Sequence, residues 1–289
     1  MSSVRPTVER LQLGVSLTRL RTAARKSQSE AASAIDRTAA RLSQVENGKG
    51  SLGTEELLKL LDFYGVQGNE RSTILALGTA ARRRSVRRGY VDTLPEPFQR
   101  LVEMQVAASR ISWYECGVIP GLVQSPDYVQ AIMALSNSIY WETSEEETGN
   151  RVAFRLDHQR RVLDCNDPKE ISVIFTEDSL HHVIGNKSVM RGQALHLLQL
   201  LERHKKLSIR IVPNSAVDNP ALGGGLVLLD FKESEPVSFA SVLHGPYTYY
   251  DHAEDIGPMR RLIERVEELA LSRENTGNLL IDLVRKDAS

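Results

Sequence analysis

Few groups of residues in this chain have the types and spacing of a catalytic or cofactor site. The glycine run at 223–225 could cradle a phosphate, but it precedes a strand-like segment and lacks the Lys-Ser/Thr pair of a P-loop. His181 and His182 have only Glu177 and Asp178 as nearby carboxylates, a spacing that disfavours a metal site. The sequence has no nucleophile elbow, metalloprotease motif or dinucleotide fingerprint. It therefore predicts a protein that is not an enzyme and that uses no metal or cofactor.

Aromatic residues form a second kind of candidate site, a pocket for a ligand or a partner peptide. One group is a Trp-Tyr pair, and the other is a cluster of Tyr and His near residue 250. Aromatic stripes belong more often to a core or an interface than to a ligand site, so both interpretations stay open. The candidate pocket residues are Trp113, Tyr114, His244, Tyr247, Tyr249 and Tyr250.

The charge of the chain is distributed unevenly. The 289 residues carry 36 Lys and Arg against 37 Asp and Glu, a net charge of −1. Residues 1–90 hold 16 of the basic residues and 8 of the acidic ones, so this segment carries +8 and the remainder −9. A basic first third joined to an acidic remainder is typical of a nucleic-acid-binding module with a different second domain.

Two features indicate the cellular compartment. Cys116 and Cys165 lie far apart and outside any metal-binding motif, which fits reduced thiols. The chain has no run of 18 apolar residues, and its first ten residues contain no apolar signal core. We therefore expect a cytoplasmic protein without membrane contact.

The basic segment divides into short helices separated by turn residues. Ser27 and Glu30 form a capping box that begins a short second helix, and Thr38 is a good N-cap for a third helix that ends near Asn47-Gly48. A fourth, strongly apolar helix follows Thr54. Two short helices joined by a tight turn and braced by neighbouring helices predict a helix-turn-helix DNA-binding domain.

Four motifs follow one another in this segment, namely Leu20-Arg21, Ser27-Gln28-x-Glu30-x-Ala32, Arg41-Leu42-Ser43-x-Val45-Glu46-x-Gly48-Lys49 and Leu57-Leu58-x-Leu60-Leu61. Over about 55 residues, this order of motifs resembles the phage-repressor (XRE) type of helix-turn-helix domain. The resemblance implies that the third helix enters the major groove. It places eight residues at the DNA surface, namely Gln28, Thr38, Ala39, Ala40, Arg41, Gln44, Asn47 and Lys49.

The chemistry of these residues agrees with that placement. Arg41 can bind guanine through two hydrogen bonds and Gln44 can bind adenine, while alanine methyl groups can contact thymine. Thr38, Asn47 and Lys49 suit phosphates. The resemblance also implies a structural ion pair between Arg21 and Glu46. At the inter-helix turn, where the family usually has Gly, this chain has Asp36, which tolerates left-handed geometry at some cost in strain.

An arginine-rich junction follows the helical domain. Five arginines lie between Arg82 and Arg88, and they form either a phosphate-contacting tail or a solvated linker helix. Thr93 to Pro97 then breaks any helix. We predict a helix-turn-helix domain at 1–80, a basic linker at 81–97 and a regulatory, dimerising or partner-binding domain at 98–289.

The acidic remainder combines helices with short apolar strands. The spacing predicts a helix from Phe98 to Tyr114, a helix begun by Ser144, and strands at 171–175, 207–212, 226–231 and 237–243. A last long helix and a C-terminal turn at 279–284 cover them. The predicted class is α+β, an all-α first domain followed by a mixed α/β domain with about four to five strands.

A second resemblance covers nearly the whole chain. The stretch from Val118 to Tyr128, Arg155 to Leu163 with its Arg160-Arg161 pair, and Leu60 to Val66 are similar to the actinobacterial WhiJ-type regulators, also described as Scr-type antitoxin-like regulators. The resemblance implies control of development or of a toxin-antitoxin-like pair, and a small partner protein encoded by a neighbouring gene.

These observations lead to one main hypothesis and two alternatives. The main one is a transcriptional regulator, for example a repressor, that binds a double-stranded DNA operator as a homodimer and a small partner protein through its acidic domain. In the first alternative that domain senses a small molecule. The second, an enzyme with a DNA-targeting module, is disfavoured because no catalytic constellation is present.

Overall fold

The computed structural model describes residues 7–83, 90–94, 96–137, 144–240 and 248–286. Within these residues the chain forms eleven α-helices and seven strands, which confirms the α+β class. The chain divides into two compact units. The first comprises Met1–Ser109, Leu229–Phe239 and Gly245–Ile256, and the second comprises Arg110–Leu228, Ala240–His244 and Gly257–Ser289. The predicted division at residues 80 and 97 stays a prediction.

Five helices begin the first unit, and their caps explain where they start. Thr7, Ser27 and Thr38 accept hydrogen bonds from backbone N–H groups of the first turns, and Ser27 with Glu30 forms the predicted capping box. The helices are α1 (Val8–Ala23), α2 (Gln28–Ser33), α3 (Ala39–Glu46), α4 (Thr54–Tyr64) and α5 (Gly68–Arg82).

One apolar core holds these five helices together. Leu42 and Val45 of α3 are fully buried, as are Leu57, Leu60 and Leu61 of α4. Ala31 and Ala32 of the second helix also belong to the core. Six residues are too few for a stable isolated helix, so α2 depends on packing against its neighbours. Its small side chains let those neighbouring helices approach closely.

The turn between α2 and α3 has the left-handed geometry that the sequence indicates. Asp36 has a φ of 55°, a conformation that glycine adopts freely and that Asp and Asn tolerate better than other residues. Lys59 Nζ lies 3.7 Å from the exposed Asp36 carboxylate. The expected strain at this departure from the family pattern is therefore present in the backbone.

A close approach of α1 to the end of α3 depends on Gly14. A Cβ atom at this position would lie 2.6 Å from the carbonyl oxygen of Val45 and closer still to that of Glu46. Real Cβ atoms do not come so near to backbone oxygens, and the interior is too tightly packed to give way freely. Gly14 therefore determines how closely α1 supports α3, a role that the local sequence pattern does not signal.

Two buried acidic side chains join the sixth helix, α6 (Pro97–Ala107), to α1. Glu103 accepts a 2.7 Å hydrogen bond from the Ser16 hydroxyl and pairs with Arg19. Asp92, just before α6, pairs with Arg100 Nε at 2.9 Å and accepts from the Gln12 amide. Buried charges need such partners, so these contacts fix α6 against the helical domain.

The predicted helix from Phe98 to Tyr114 is wrong in its second half. The helix ends at Ala107 because the N–H and hydroxyl of Ser109 both donate to the carbonyl oxygen of Asp230, at 2.8 and 3.1 Å. Residues Arg110–Glu115 form strand β2, and short β1 (Tyr90–Val91) precedes α6. The β-branched and aromatic residues of β2 suit a strand, and its pairing partner lies about sixty residues further along the chain.

The later elements largely follow the predicted pattern. The strands belong to one mixed sheet, with the order β1-β7-β6-β5-β2-β3-β4. Strands β2, β3 and β4 are parallel, with Ile111 opposite Ile171 and Ile171 opposite Leu207. The remaining elements are α7 (Pro126–Ser136), α8 (Glu145–Leu163), β3 (Glu170–Thr176), α9 (Lys187–Arg203), β4 (Leu207–Val212), β5 (Leu226–Asp230), β6 (Val237–Ala240), β7 (Thr248–Tyr250), α10 (Ala253–Leu269) and α11 (Arg273–Lys286).

Two further predictions are wrong, namely the number of strands and the type of the last element. Among the described residues the strands number seven instead of four to five, because β1, β2 and β7 were not predicted. Strands of two or three residues carry no readable alternation. The predicted C-terminal turn at 279–284 is part of a 14-residue helix, α11.

The close approach at Gly14 gives the first prediction. We expect Gly14→Ala to lower the free energy of unfolding by about 1–3 kcal/mol, because the added methyl group forces α1 away from α3. This loss opposes the gain of about 1 kcal/mol that Ala brings to an unhindered helix position. Urea denaturation measures the difference. Gly149→Ala in α8, where a Cβ meets nothing within 4 Å, is the control and should stabilise; a stabilised Gly14→Ala would contradict the close-approach argument.

A buried histidine gives a prediction for pH dependence. Burial, with the nearby charges of Arg155 and Arg161, lowers the pKa of His158 in α8 to about 3. The unfolded chain takes up this proton near pH 6.5, whereas the folded protein does not until far lower pH. The free energy of unfolding should therefore decrease as pH falls from 6.5 to 4.5, by about 2 kcal/mol from this group.

Urea denaturation at pH 6.5, 5.5 and 4.5 tests this dependence on His158. Between pH 6.5 and pH 4.5, the free energy of unfolding of His158→Gln should fall by about 2 kcal/mol less than that of the wild type. Parallel losses in the two proteins would show that His158 is not the group responsible.

Candidate DNA interface

The third helix, α3, presents opposite faces to the core and to solvent. Leu42 and Val45 point into the core, whereas Ala40, Arg41 and Gln44 are exposed. The N-cap Thr38 is exposed, and its hydroxyl accepts a 3.2 Å hydrogen bond from the Arg41 N–H. A helix that packs apolar side chains into the core and carries hydrogen-bonding groups on its outer side has the arrangement of a groove-reading helix.

The two side chains predicted to read bases touch each other. Arg41 Nη2 donates to the carbonyl oxygen of Ser51 at 2.9 Å, and Arg41 Nη1 lies 3.4 Å from Gln44 Oε1. The loop after α3 therefore orients the guanidinium before any ligand binds. The remaining N–H groups of the Arg41 guanidinium stay available for a base edge.

Three helices converge on the carboxylate of Glu46, the last residue of α3. Arg21 from α1 donates to Glu46 from Nε at 2.7 Å and from Nη2 at 3.1 Å. Gln28 from α2 donates its side-chain N–H to the same carboxylate at 2.7 Å. The Glu46 side chain is only 5% exposed, and this ion pair raises the pKa of Arg21. The structure thus brings together the predicted Arg21–Glu46 pair and adds Gln28 to it.

The segment after α3 contacts a distant part of the chain. Lys49 Nζ lies 2.8 Å from Glu233 Oε2, and the Ser234 hydroxyl donates to the carbonyl oxygen of Asn47 at 2.6 Å. The Asn47 side chain lies 3.4 Å from the Ser43 hydroxyl. Glu233 and Ser234 were not predicted, because the local sequence pattern does not signal contacts between residues 184 and 187 positions apart.

Comparison with protein families identifies both parts of the chain. A family model described as Domain of unknown function (DUF5753) matches residues 98–282, more than half of the chain. The chain belongs to the DUF5753 family. A model described as Helix-turn-helix domain matches residues 12–74, which confirms the predicted helix-turn-helix region. A search of curated proteins gives no match. This DUF5753 protein therefore carries the domain of a DNA-binding regulator at its N-terminus.

The structure describes four of the six predicted pocket residues of this DUF5753 protein. Tyr114 is buried in the core of the second unit and accepts a hydrogen bond from Asn219 at 3.0 Å, while neighbouring Trp113 donates to Glu115. Tyr249 is buried in the first unit and packs against Phe239. Tyr250 follows it in β7. His244 and Tyr247 lie outside the described residues, and the pocket stays a prediction.

Only part of the arginine-rich junction is described. Arg82 donates to the carbonyl oxygen of Leu52 at 3.1 Å and to Thr79, so it supports the loop between α3 and α4. Arg83 is exposed. The other arginines of the run lie outside the described residues, and their predicted contact with phosphates is untested.

The DUF5753 protein shows neither a metal centre nor a membrane span in the described part of the chain. No group of three or more His, Cys, Asp or Glu residues there is placed to hold a metal ion. None of the described helices has the length and hydropathy of a transmembrane segment.

The Glu46 cluster generates a stability prediction. We expect Arg21→Met to lower the free energy of unfolding by about 2–4 kcal/mol, because it leaves a buried carboxylate with the Gln28 amide alone. Arg21→Lys should restore only part of this loss, since an ammonium cannot donate in the two-pronged geometry of the guanidinium. The measurement is urea denaturation followed by circular dichroism.

The control for this prediction lies in the same helical domain. Arg37 pairs with Glu56 through a side chain that is 54% exposed, and Arg37→Met should cost less than about 1 kcal/mol. Equal effects of Arg21→Met and Arg37→Met would contradict the structural importance of the Glu46 cluster.

Proposed function

We propose that this DUF5753 protein is a sequence-specific transcriptional regulator that binds double-stranded DNA through the exposed face of α3. The observation that carries the proposal is the Arg41–Gln44 pair, held against the Ser51 carbonyl on a solvent-facing helix within a matched helix-turn-helix domain. Arginine and glutamine are the side chains that most readily bind guanine and adenine edges in the major groove.

The flanking residues fit the phosphate backbone on either side of that groove. Thr38 caps the N-terminus of α3, where the helix dipole favours an anion. Lys49, beyond the other end of the helix, supplies a positive charge. The net charge of +8 over residues 1–90 supports attraction to DNA. We include Gln28, Ala39, Ala40 and Asn47 in the proposed surface.

The finer organisation of this function is also part of the proposal. An eight-residue α3 reads few base pairs, so a homodimer on two half-sites one DNA turn apart would supply the affinity of a repressor. We propose that residues 98–289 provide dimerisation and bind a small partner protein, in the manner of WhiJ-type and Scr-type antitoxin-like regulators. The net charge of −9 beyond residue 90 supports a partner with basic or apolar surface over DNA as the ligand of this region.

Selection of duplexes from a random-sequence library by the full-length protein tests the function directly. The enriched duplex, labelled with fluorescein, then serves in anisotropy titrations. Enrichment of a defined motif supports the proposal, and a library that stays random after repeated rounds with folded protein would overturn it.

Substitutions at the interface should separate base reading from phosphate binding. Arg41→Ala and Gln44→Ala should each weaken binding to the selected duplex by about 10- to 100-fold and relax the base preference. Lys49→Ala should weaken binding to all duplexes alike and lower the slope of log affinity against log salt by about one.

An arginine outside the interface provides the matched control. Arg160 in α8 is 72% exposed and pairs with Asp157, so Arg160→Ala should change affinity by less than about twofold, the range of a dispensable surface ion pair. If Arg41→Ala behaves like Arg160→Ala, the assignment of α3 as the recognition helix is wrong.

A further inference from the structure

The loop at 231–236, between β5 and β6, lies against the end of the proposed DNA-reading helix. Its Glu233 carboxylate pairs with Lys49 Nζ at 2.8 Å, and its Ser234 hydroxyl donates to the Asn47 carbonyl oxygen at 2.6 Å. Both loop residues belong to the same compact unit as α3. Two adjacent loop residues thus bind two of the residues assigned to the DNA surface.

The Glu233 carboxylate binds the Lys49 ammonium in the same way as a DNA phosphate would. A carboxylate and a phosphodiester are both anions that accept charge-assisted hydrogen bonds from a lysine ammonium. The Lys49 ammonium is held at 2.8 Å by Glu233, and a phosphate at the same place would meet the negative charge of that carboxylate. Binding of DNA at Lys49 therefore requires Glu233 to move away.

The loop is short and is held at both ends. Residues 226–229 of β5 and residues 237–239 of β6 are buried, so six residues connect two anchored strands. The strands determine where Glu233 is presented, while the loop itself remains outside the core, with the Glu233 side chain 65% exposed. A displacement of the loop is accordingly local and leaves the packing of β5 and β6 unchanged.

We propose that the loop at 231–236 is an autoinhibitory cover, in which Glu233 occupies the place of a DNA phosphate on Lys49. This inference rests on the proposed DNA-binding function. The free protein holds Lys49 in an internal ion pair, and DNA competes with Glu233 for it. An exposed ion pair is weak enough for such competition.

Protonation does not release the contact under ordinary conditions. The hydrogen bond from Lys49 lowers the pKa of Glu233 below that of a free carboxyl group. Because the folded-state pKa is depressed, the ion pair is present at and above the ordinary carboxyl pKa and is lost only as pH falls through the lower value. The cover therefore opens through competition for Lys49, with DNA or dissolved salt as the competitor.

Anisotropy titrations with the selected duplex, and with a 30-base-pair duplex of scrambled sequence, test the cover. We expect Glu233→Gln to tighten binding to both duplexes by about two- to fivefold, the range of an exposed ion pair. Adding Ser234→Ala, which removes the second contact, should tighten binding further. Glu233 is exposed, so its substitution leaves the core intact.

Glu235→Gln is the matched control, because it removes the same charge from the same loop. Glu235 is exposed. The contacts that the structure shows from this loop to Lys49 and Asn47 come from Glu233 and Ser234. If the effect were only a general reduction of negative charge near DNA, Glu233→Gln and Glu235→Gln would tighten binding equally. That result would overturn the proposal.

A double-mutant cycle shows whether Glu233 acts through Lys49. In a Lys49→Ala background, Glu233→Gln should have no more effect than Glu235→Gln, since the ion pair no longer exists. An undiminished effect of Glu233→Gln in that background would also overturn the proposal. Hydrogen exchange gives an independent readout: backbone amides at 231–235 should exchange faster when the selected duplex is bound.

The outcomes distinguish this inference from the function on which it rests. If the wild type binds DNA and Arg41→Ala weakens binding as predicted, but Glu233→Gln matches the wild type, the autoinhibitory cover is wrong and the DNA-binding function stands. If the wild type binds the selected duplex and Glu233→Gln binds it about two- to fivefold more tightly, both are supported. If neither protein binds any duplex, both are overturned.

Discussion

The helix-turn-helix domain depends on the ion pair and hydrogen bonds that satisfy the buried carboxylate of Glu46. The Glu46 side chain is only 5% exposed, so its charge must be neutralised and its oxygens must accept hydrogen bonds. Arg21 and Gln28 do this from α1 and α2. Since Glu46 ends α3, the need to satisfy one carboxylate sets the relative positions of three helices. The direction in which Arg41 and Gln44 face solvent follows from that arrangement and from the burial of Leu42 and Val45.

A second constraint comes from residues far along the chain. Asp230 ends α6 by accepting two hydrogen bonds from Ser109, and a few residues later Glu233 and Ser234 bind Lys49 and Asn47. These acceptors and donors lie within the DUF5753 match at 98–282, yet they belong to the compact unit that contains the helix-turn-helix domain. The boundary of a sequence family and the boundary of a packed unit therefore differ in this protein.

The local features that the sequence predicted share one property. The capping box at Ser27, the N-cap at Thr38, the left-handed turn at Asp36 and the helix begun by Ser144 all involve partners within four residues. Their energetics are visible in a short window of sequence. Strand β2 shows the opposite case: its apolar residues also fit a helix, and pairing with β3 about sixty residues later decided for a strand.

The sequence by itself determined that the first third is a basic helix-turn-helix domain and that a mixed α/β region follows. It also determined which residues of α3 face outward. Only the tertiary structure decided that Gly14 must lack a side chain, that Gln28 joins the Arg21–Glu46 pair, and that Lys49 is bound by Glu233. The physical reason is the range of the interactions involved. Caps and periodicity are written in neighbouring residues, whereas buried charges, close backbone approaches and strand pairs take partners that become neighbours only when the chain has folded.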